Sequence, residues 1–183
     1  MTLTKKLYQL FACIGLLWIG GSANTWAGSN DLYDLQPCPA ILADEQAPEP
    51  TKQWDLTLSP YTHHWSHNSE HKPVVLVGLD RHLKGGRFCG IALFSNSFGQ
   101  ESAYFYVGQQ WDGLFGNPKL FTKLSGGLIY GYRDQYKDKV PFNKYGVSPV
   151  IIPSLGYAIT AQDAAQVYVL GTAGLLFAYS RSF

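Results

Sequence analysis

Four histidines fall within nine residues, at His63, His64, His67 and His71, and a short polar run, Ser95-Asn96-Ser97, follows further along the chain. These residue types suit acyl transfer. An imidazole can take a hydroxyl proton near neutral pH, and a nearby hydroxyl can hydrogen-bond the reacting ester. Two other readings compete. The histidines could hold a divalent metal, but no cysteine and no nearby cluster of carboxylates completes a closed site, so no metal and no cofactor is expected. Ser95-Asn96-Ser97 could be only a turn, since Asn and Ser are standard turn residues.

Only the fold can bring the two runs together. Along 175–183, Leu175, Phe177, Tyr179, Arg181 and Phe183 share one parity, while Leu176, Ala178, Ser180 and Ser182 share the other. Side chains alternate faces on a strand, so one face is bulky and aromatic and the other small and increasingly polar. An apolar, aromatic-girdled outside around a polar inside is the pattern of a membrane barrel, and a terminal aromatic is what outer-membrane assembly reads. Eight strands are expected in all, at about 54–64, 73–83, 87–94, 103–111, 120–132, 147–159, 164–170 and 174–183. Along the fifth, Leu120, Thr122, Leu124, Gly126, Leu128, Tyr130 and Tyr132 share a face. Membrane strands need about 9–11 residues each, so eight fit and ten do not. The expected fold is all-β, an eight-stranded antiparallel transmembrane β-barrel over 54–183. With both ends in the periplasm, the connections 65–72, 95–102, 133–146 and 171–173 share the outer rim. That topology gathers the histidines and Ser95-Asn96-Ser97 on one rim.

The start of the chain fits export. Lys5 and Lys6 precede an apolar run at 7–20, and small residues follow at Ser22-Ala23-Asn24-Thr25-Trp26-Ala27. A signal peptide over 1–27 is expected, cleaved after Ala27 or alternatively after Ala23. The apolar run is short of the roughly 20 residues a spanning helix needs. Residues 28–53, punctuated by Pro37, Pro39, Pro48 and Pro50, read as an irregular periplasmic segment. Charged residues are 15% of the chain, below the usual quarter, and aromatics also reach 15%, as suits a lipid-facing surface. A net charge of +1 leaves no electrostatic footprint for nucleic acid. Cys38 and Cys89 could pair in an oxidising compartment. Eight strands enclose room for side chains or one narrow ligand, not a pore. Proline cannot donate to a ladder, so Pro60 and Pro73, and Pro149 and Pro153, mark candidate lateral gates for a lipid tail.

Several of these segments resemble one family. Trp54-Asp55-Leu56-Thr57-Leu58-Ser59-Pro60-Tyr61-Thr62-His63-His64 is similar to the first strand of PagP, the lipid A palmitoyltransferase family, which opens on Asp-Leu, is broken by proline and ends at a catalytic histidine matched by His64. Phe94-Ser95-Asn96-Ser97-Phe98 resembles its Phe-Lys-Asp-Ser-Trp. Pro149-Val150-Ile151-Ile152-Pro153 resembles its Pro-Val-Leu-Leu-Pro, and Phe177-Ala178-Tyr179-Ser180-Arg181 its Phe-Ala-Trp-Met-Arg. The resemblance covers about 54–183 in short, dispersed matches that keep their order. It implies a monomeric outer-membrane acyltransferase moving a palmitoyl-type chain from a phospholipid donor to a lipid A acceptor. His64 would be the general base. Ser97 would hydrogen-bond the ester or stabilise the oxyanion, and Asn96 would hold the loop or the imidazole. His63 is the rival base, since neighbours on a strand face opposite ways, and His67 comes third. The family's aspartate is Asn96 here, a change that can preserve geometry while lowering rate. Its amphipathic N-terminal helix has no counterpart in 28–53, and its acyl-chain ruler falls near Gly108 or Gln110. The alternatives are a deacylase or phospholipase using the same pair with water, and a non-catalytic lipid-binding or structural barrel.

Overall fold

Asp55, Thr57 and Ser59 are buried while Leu56 and Leu58 between them are exposed; likewise Lys123 and Ser125 are buried while Leu124 is exposed. Polar inside and apolar outside is the arrangement for strands whose outer solvent is lipid. The computed structural model, which describes residues 37–39, 42, 46–66 and 71–183, has eight strands, and their buried positions also include apolar residues such as Phe88, Ala92, Tyr104 and Leu176. They are β1 (Trp54–His64), β2 (Leu76–His82), β3 (Arg87–Ser95), β4 (Glu101–Asp112), β5 (Leu120–Tyr130), β6 (Val147–Ala158), β7 (Asp163–Val169) and β8 (Gly174–Ser182). Each is antiparallel to the next, and β8 returns to β1, closing the barrel. Among the described residues no helix is long and apolar enough to cross a membrane. The expected leader at 1–27, part of the segment 28–53, and His67 lie outside the described residues.

Most strand limits fall within two residues of the sequence expectation, and two differences are informative. The second strand starts at Leu76 rather than at residue 73, because Pro73 has no N–H and Val75 contributes only its carbonyl, accepting from Ser95 N at 3.1 Å. The fifth stops at Tyr130 rather than 132. Gly131 turns there with φ 132°, and a Cβ on it would lie 2.1 Å from Ser102 Oγ. Tyr132 therefore does not continue the outer face; it packs on Ala92, Tyr104 and Ile129 inside.

One irregularity sets the site. In β1, Leu58 pairs with Tyr179 and Tyr61 pairs with Phe177, so Ser59 and Pro60 together oppose a single residue of β8. This bulge reverses the facing of everything after it. Ser59 Oγ bridges the irregularity by donating to Phe177 O at 2.7 Å. Tyr61 and His63 are consequently exposed, and Thr62 and His64 turn inward.

A disulfide joins Cys38 to Cys89, which sits in β3 at a position facing away from the lumen. Arg87 donates to Leu42 O at 3.1 Å, Arg81 to Gln53 Oε1 at 2.7 Å, and Lys84 pairs with Glu49 at 3.0 Å. The irregular stretch before β1 is thus stitched to the outside of the β2–β3 hairpin.

Candidate functional site

His64 ends β1 on its inward-turned side, and Ser97 lies in the tight connection between β3 and β4. The fold brings them together: Ser97 Oγ and His64 Nε2 are 3.2 Å apart. They stand on the rim opposite both ends of the barrel. The connection is shaped by Asn96, which is 1% exposed. Its Oδ1 accepts from Phe98 N and Gln100 N, both at 3.0 Å. Its Nδ2 donates to Gln100 Oε1 and Gly131 O, both at 3.4 Å. Of the two roles expected for Asn96, it therefore holds the loop. Among the described residues it makes no hydrogen bond to the imidazole. A carboxylate would meet the same two N–H donors but would also set an oxygen against two acceptors, so the amide fits this connection better than an acid would.

The imidazole is oriented by other groups. It meets the backbone of Ala173, between β7 and β8, and the ring of His71, 4.2 Å away. His71 rests on Phe98, and Phe98 stacks on Tyr136 at 4.1 Å. Lys72 N donates to Ser97 O at 2.7 Å, fixing the serine backbone. Tyr132, just past β5 and edge-on to Phe98, has its phenol pushed up to about 12 by burial, so it remains a neutral donor. His63 faces away from this group, edge-on to Trp65. An imidazole nitrogen facing a hydroxyl at hydrogen-bonding distance is the geometry of general-base chemistry.

Inside the barrel lies a narrow apolar slot walled by Leu76, Ala92, Tyr104, Ile152, Leu170 and Leu176 among others. Two gaps in the ladder border it. β1 pairs with β2 only from Trp54 to Ser59, leaving its last four residues, Tyr61 to His64, held by β8 alone. β6 pairs with β7 only from Ser154 to Ala158, although its ladder with β5 runs unbroken from Val147 to Tyr157. Pro149 and Pro153 share a parity, so both missing N–H groups fall on one edge of β6, the β7 side. Leu76 and Ile152 place slot lining beside both gaps.

The floor was not anticipated. Lys123 Nζ sits 3.1 Å from Asp55 Oδ2 and 3.1 Å from Asp80 Oδ2. His82 Nε2 lies 2.8 Å from Asp55 Oδ2, and Tyr106 donates to Asp80 Oδ1 at 2.5 Å. Asp55, Asp80 and His82 offer three ligand atoms close enough for a metal, but the Lys123 ammonium already occupies the space between the carboxylates. Neither position carried over as an acyl ruler lines the slot. A Cβ on Gly108 would lie 2.4 Å from the Phe88 ring, which fills the lumen there, and Gln110 opens on the vestibule at the opposite rim. The usable signal was charge at inward parity: an ionisable residue inside a membrane strand has a partner or a purpose.

A solved structure titled "De novo design of transmembrane beta-barrels" is similar to this chain, with a TM-score of 0.55 and 11% identity over 74% of this chain and 100% of that one. The likeness shows the fold, a transmembrane β-barrel. No protein-family model and no curated protein matches.

Proposed function

We propose that this barrel is an outer-membrane acyltransferase that moves a palmitoyl-type chain from a phospholipid to lipid A. The observation that carries the reading is the His64–Ser97 pair, 3.2 Å apart, on the rim of a barrel whose lumen holds an apolar slot. A donor chain enters through a ladder gap and lies in the slot, with its ester carbonyl at the rim. His64 takes the proton of the acceptor hydroxyl as that oxygen attacks the carbonyl. Ser97 hydrogen-bonds the ester and stabilises the developing oxyanion. When the tetrahedral intermediate collapses, the new ester forms, the old acyl–oxygen bond breaks, and the imidazolium returns its proton to the departing lysophospholipid. The resemblance to the PagP family in the sequence of β1 and of the β3–β4 connection supports the same reading.

Mass spectrometry of lipid A and phospholipids from cells with and without the gene tests it. A palmitate-sized gain on lipid A, lost in His64→Ala and Ser97→Ala, is the expected result. Loss of an acyl chain instead would make the protein a deacylase. Unchanged lipids, with folded protein in the membrane, would make it a non-catalytic barrel.

A further inference from the structure

The connection between β5 and β6 holds two large aromatics almost wholly in solvent. Phe142 is 86% and Tyr145 91% exposed. Both also have left-handed backbone, with φ of 55° and 56°, a conformation that side-chain-bearing residues rarely adopt. The loop is nonetheless firmly built. Asn143 Nδ2 donates to Tyr132 O at 2.7 Å and Asn143 Oδ1 accepts from Gly146 N at 2.9 Å. Lys144 and Val147 exchange backbone bonds at 2.8 and 3.1 Å, and Ser148 Oγ donates to Pro141 O. A rigid loop that displays strained, exposed aromatics is organised for contact.

The charge nearby indicates what is contacted. Residues 133–146 carry four cations, Arg133, Lys137, Lys139 and Lys144, against two acids, Asp134 and Asp138. Among the described residues none of the four cations is ion-paired. Arg133, Lys139 and Lys144 instead lie over the rings of Tyr130, Phe98 and Tyr145. The loop runs directly into Val147, the first residue of the half of β6 that lacks a β7 partner.

We propose that this loop docks the phosphate-bearing headgroup of a lipid at the open edge of β6. The aromatics enter the headgroup layer, where amphipathic rings settle, and the unpaired cations take the phosphate. Lipid tails bound to that headgroup lie beside the gap. The inference goes beyond the catalytic reading and holds whether or not an acyl group is transferred.

The test measures lipid retention, not turnover. Full-length barrel in mixed micelles is delipidated stepwise and its bound lipids are counted by native mass spectrometry. The probes are phosphatidylglycerol, monophosphoryl lipid A and, as a phosphate-free control, diacylglycerol. Wild type should retain both phosphate-bearing lipids over diacylglycerol. At about fivefold per cation at an anionic surface, Lys139→Gln with Lys144→Gln should weaken retention about 25-fold. Phe142→Ser with Tyr145→Ser should weaken it as well, while Lys139→Arg with Lys144→Arg should keep it. Stronger retention of lipid A would assign the phosphate of a saccharide; equal retention of phosphatidylglycerol would assign phosphate alone. Heat-modifiable gel migration confirms that each variant is folded. Unchanged retention in the folded Gln pair, or equal retention of diacylglycerol, would overturn the proposal.

Discussion

Lys123→Met tests what the slot floor is worth. Lys123 is 3% exposed, and its ammonium is shared between Asp55 and Asp80 at 3.1 Å each. Met keeps the length of the side chain and removes the charge, leaving two carboxylates side by side in the lumen. Asp55 keeps His82 and Ser182 as partners, and Asp80 keeps Tyr106. Breaking a buried ion pair from one side costs about 3–5 kcal/mol, because a desolvated charge loses its partner. With a urea m-value of about 2 kcal/mol per molar, the unfolding midpoint should fall by about 2 M. Urea titration in detergent micelles, followed by tryptophan fluorescence and gel migration, gives that midpoint. The triple change Lys123→Met, Asp55→Asn, Asp80→Asn should recover most of the loss, since no charge is then stranded. A single variant within about 1 kcal/mol of wild type, or a triple variant no better than the single, would refute the reasoning.

Asn96→Asp should weaken the β3–β4 connection by about 1–3 kcal/mol, because its second oxygen would face Gln100 Oε1 and Gly131 O. Faster hydrogen exchange over 96–100, with no gain in lipid A modification, is the expected outcome. His63→Ala should leave modification intact whereas His64→Ala should lower it by about 10²–10⁴; the same lipid A spectra read both. Pro153→Ala returns an N–H to the β7 side of β6, so its amide should become exchange-protected while modification slows, with a stability gain near 1 kcal/mol. Cys89→Ser opens a closure whose ends are 51 residues apart. Loop entropy puts the loss at about 4 kcal/mol, readable as a lower thermal midpoint that matches reduced wild type.

The barrel was legible because membrane strands declare themselves by parity. The alternation through Tyr130 in β5, and from Leu175 to Phe183, depends only on each residue and its neighbour. What was lost involved two strands at once. Pro73 and Gly131 shortened β2 and β5 through backbone events that periodicity cannot register. The rim pair was legible in part: chain order placed His64 and Ser97 on one side, but simple alternation from Asp55 would have turned His63 inward. Only the bulge at Ser59-Pro60 decides between them, and it depends on the register with β8. The floor was missed because Asp55, Asp80 and Lys123 come from three strands and no local spacing links them. The ruler positions failed for a related reason, since Phe88 reaches across from β3 to fill the space over Gly108.

The last four residues of β1 are held by β8 alone, with Tyr61 opposite Phe177 and His64 opposite Gly174. That pairing joins the first strand to the last, so it is the seam at which the cylinder shuts. A chain that has formed every hairpin but not yet sealed this seam has Ser97 in its loop and no imidazole opposite it. The His64–Ser97 contact is therefore a late product of folding, absent from any open sheet. Sealing depends on the first and last strands meeting, so a barrel stalled during insertion would lack the His64–Ser97 contact.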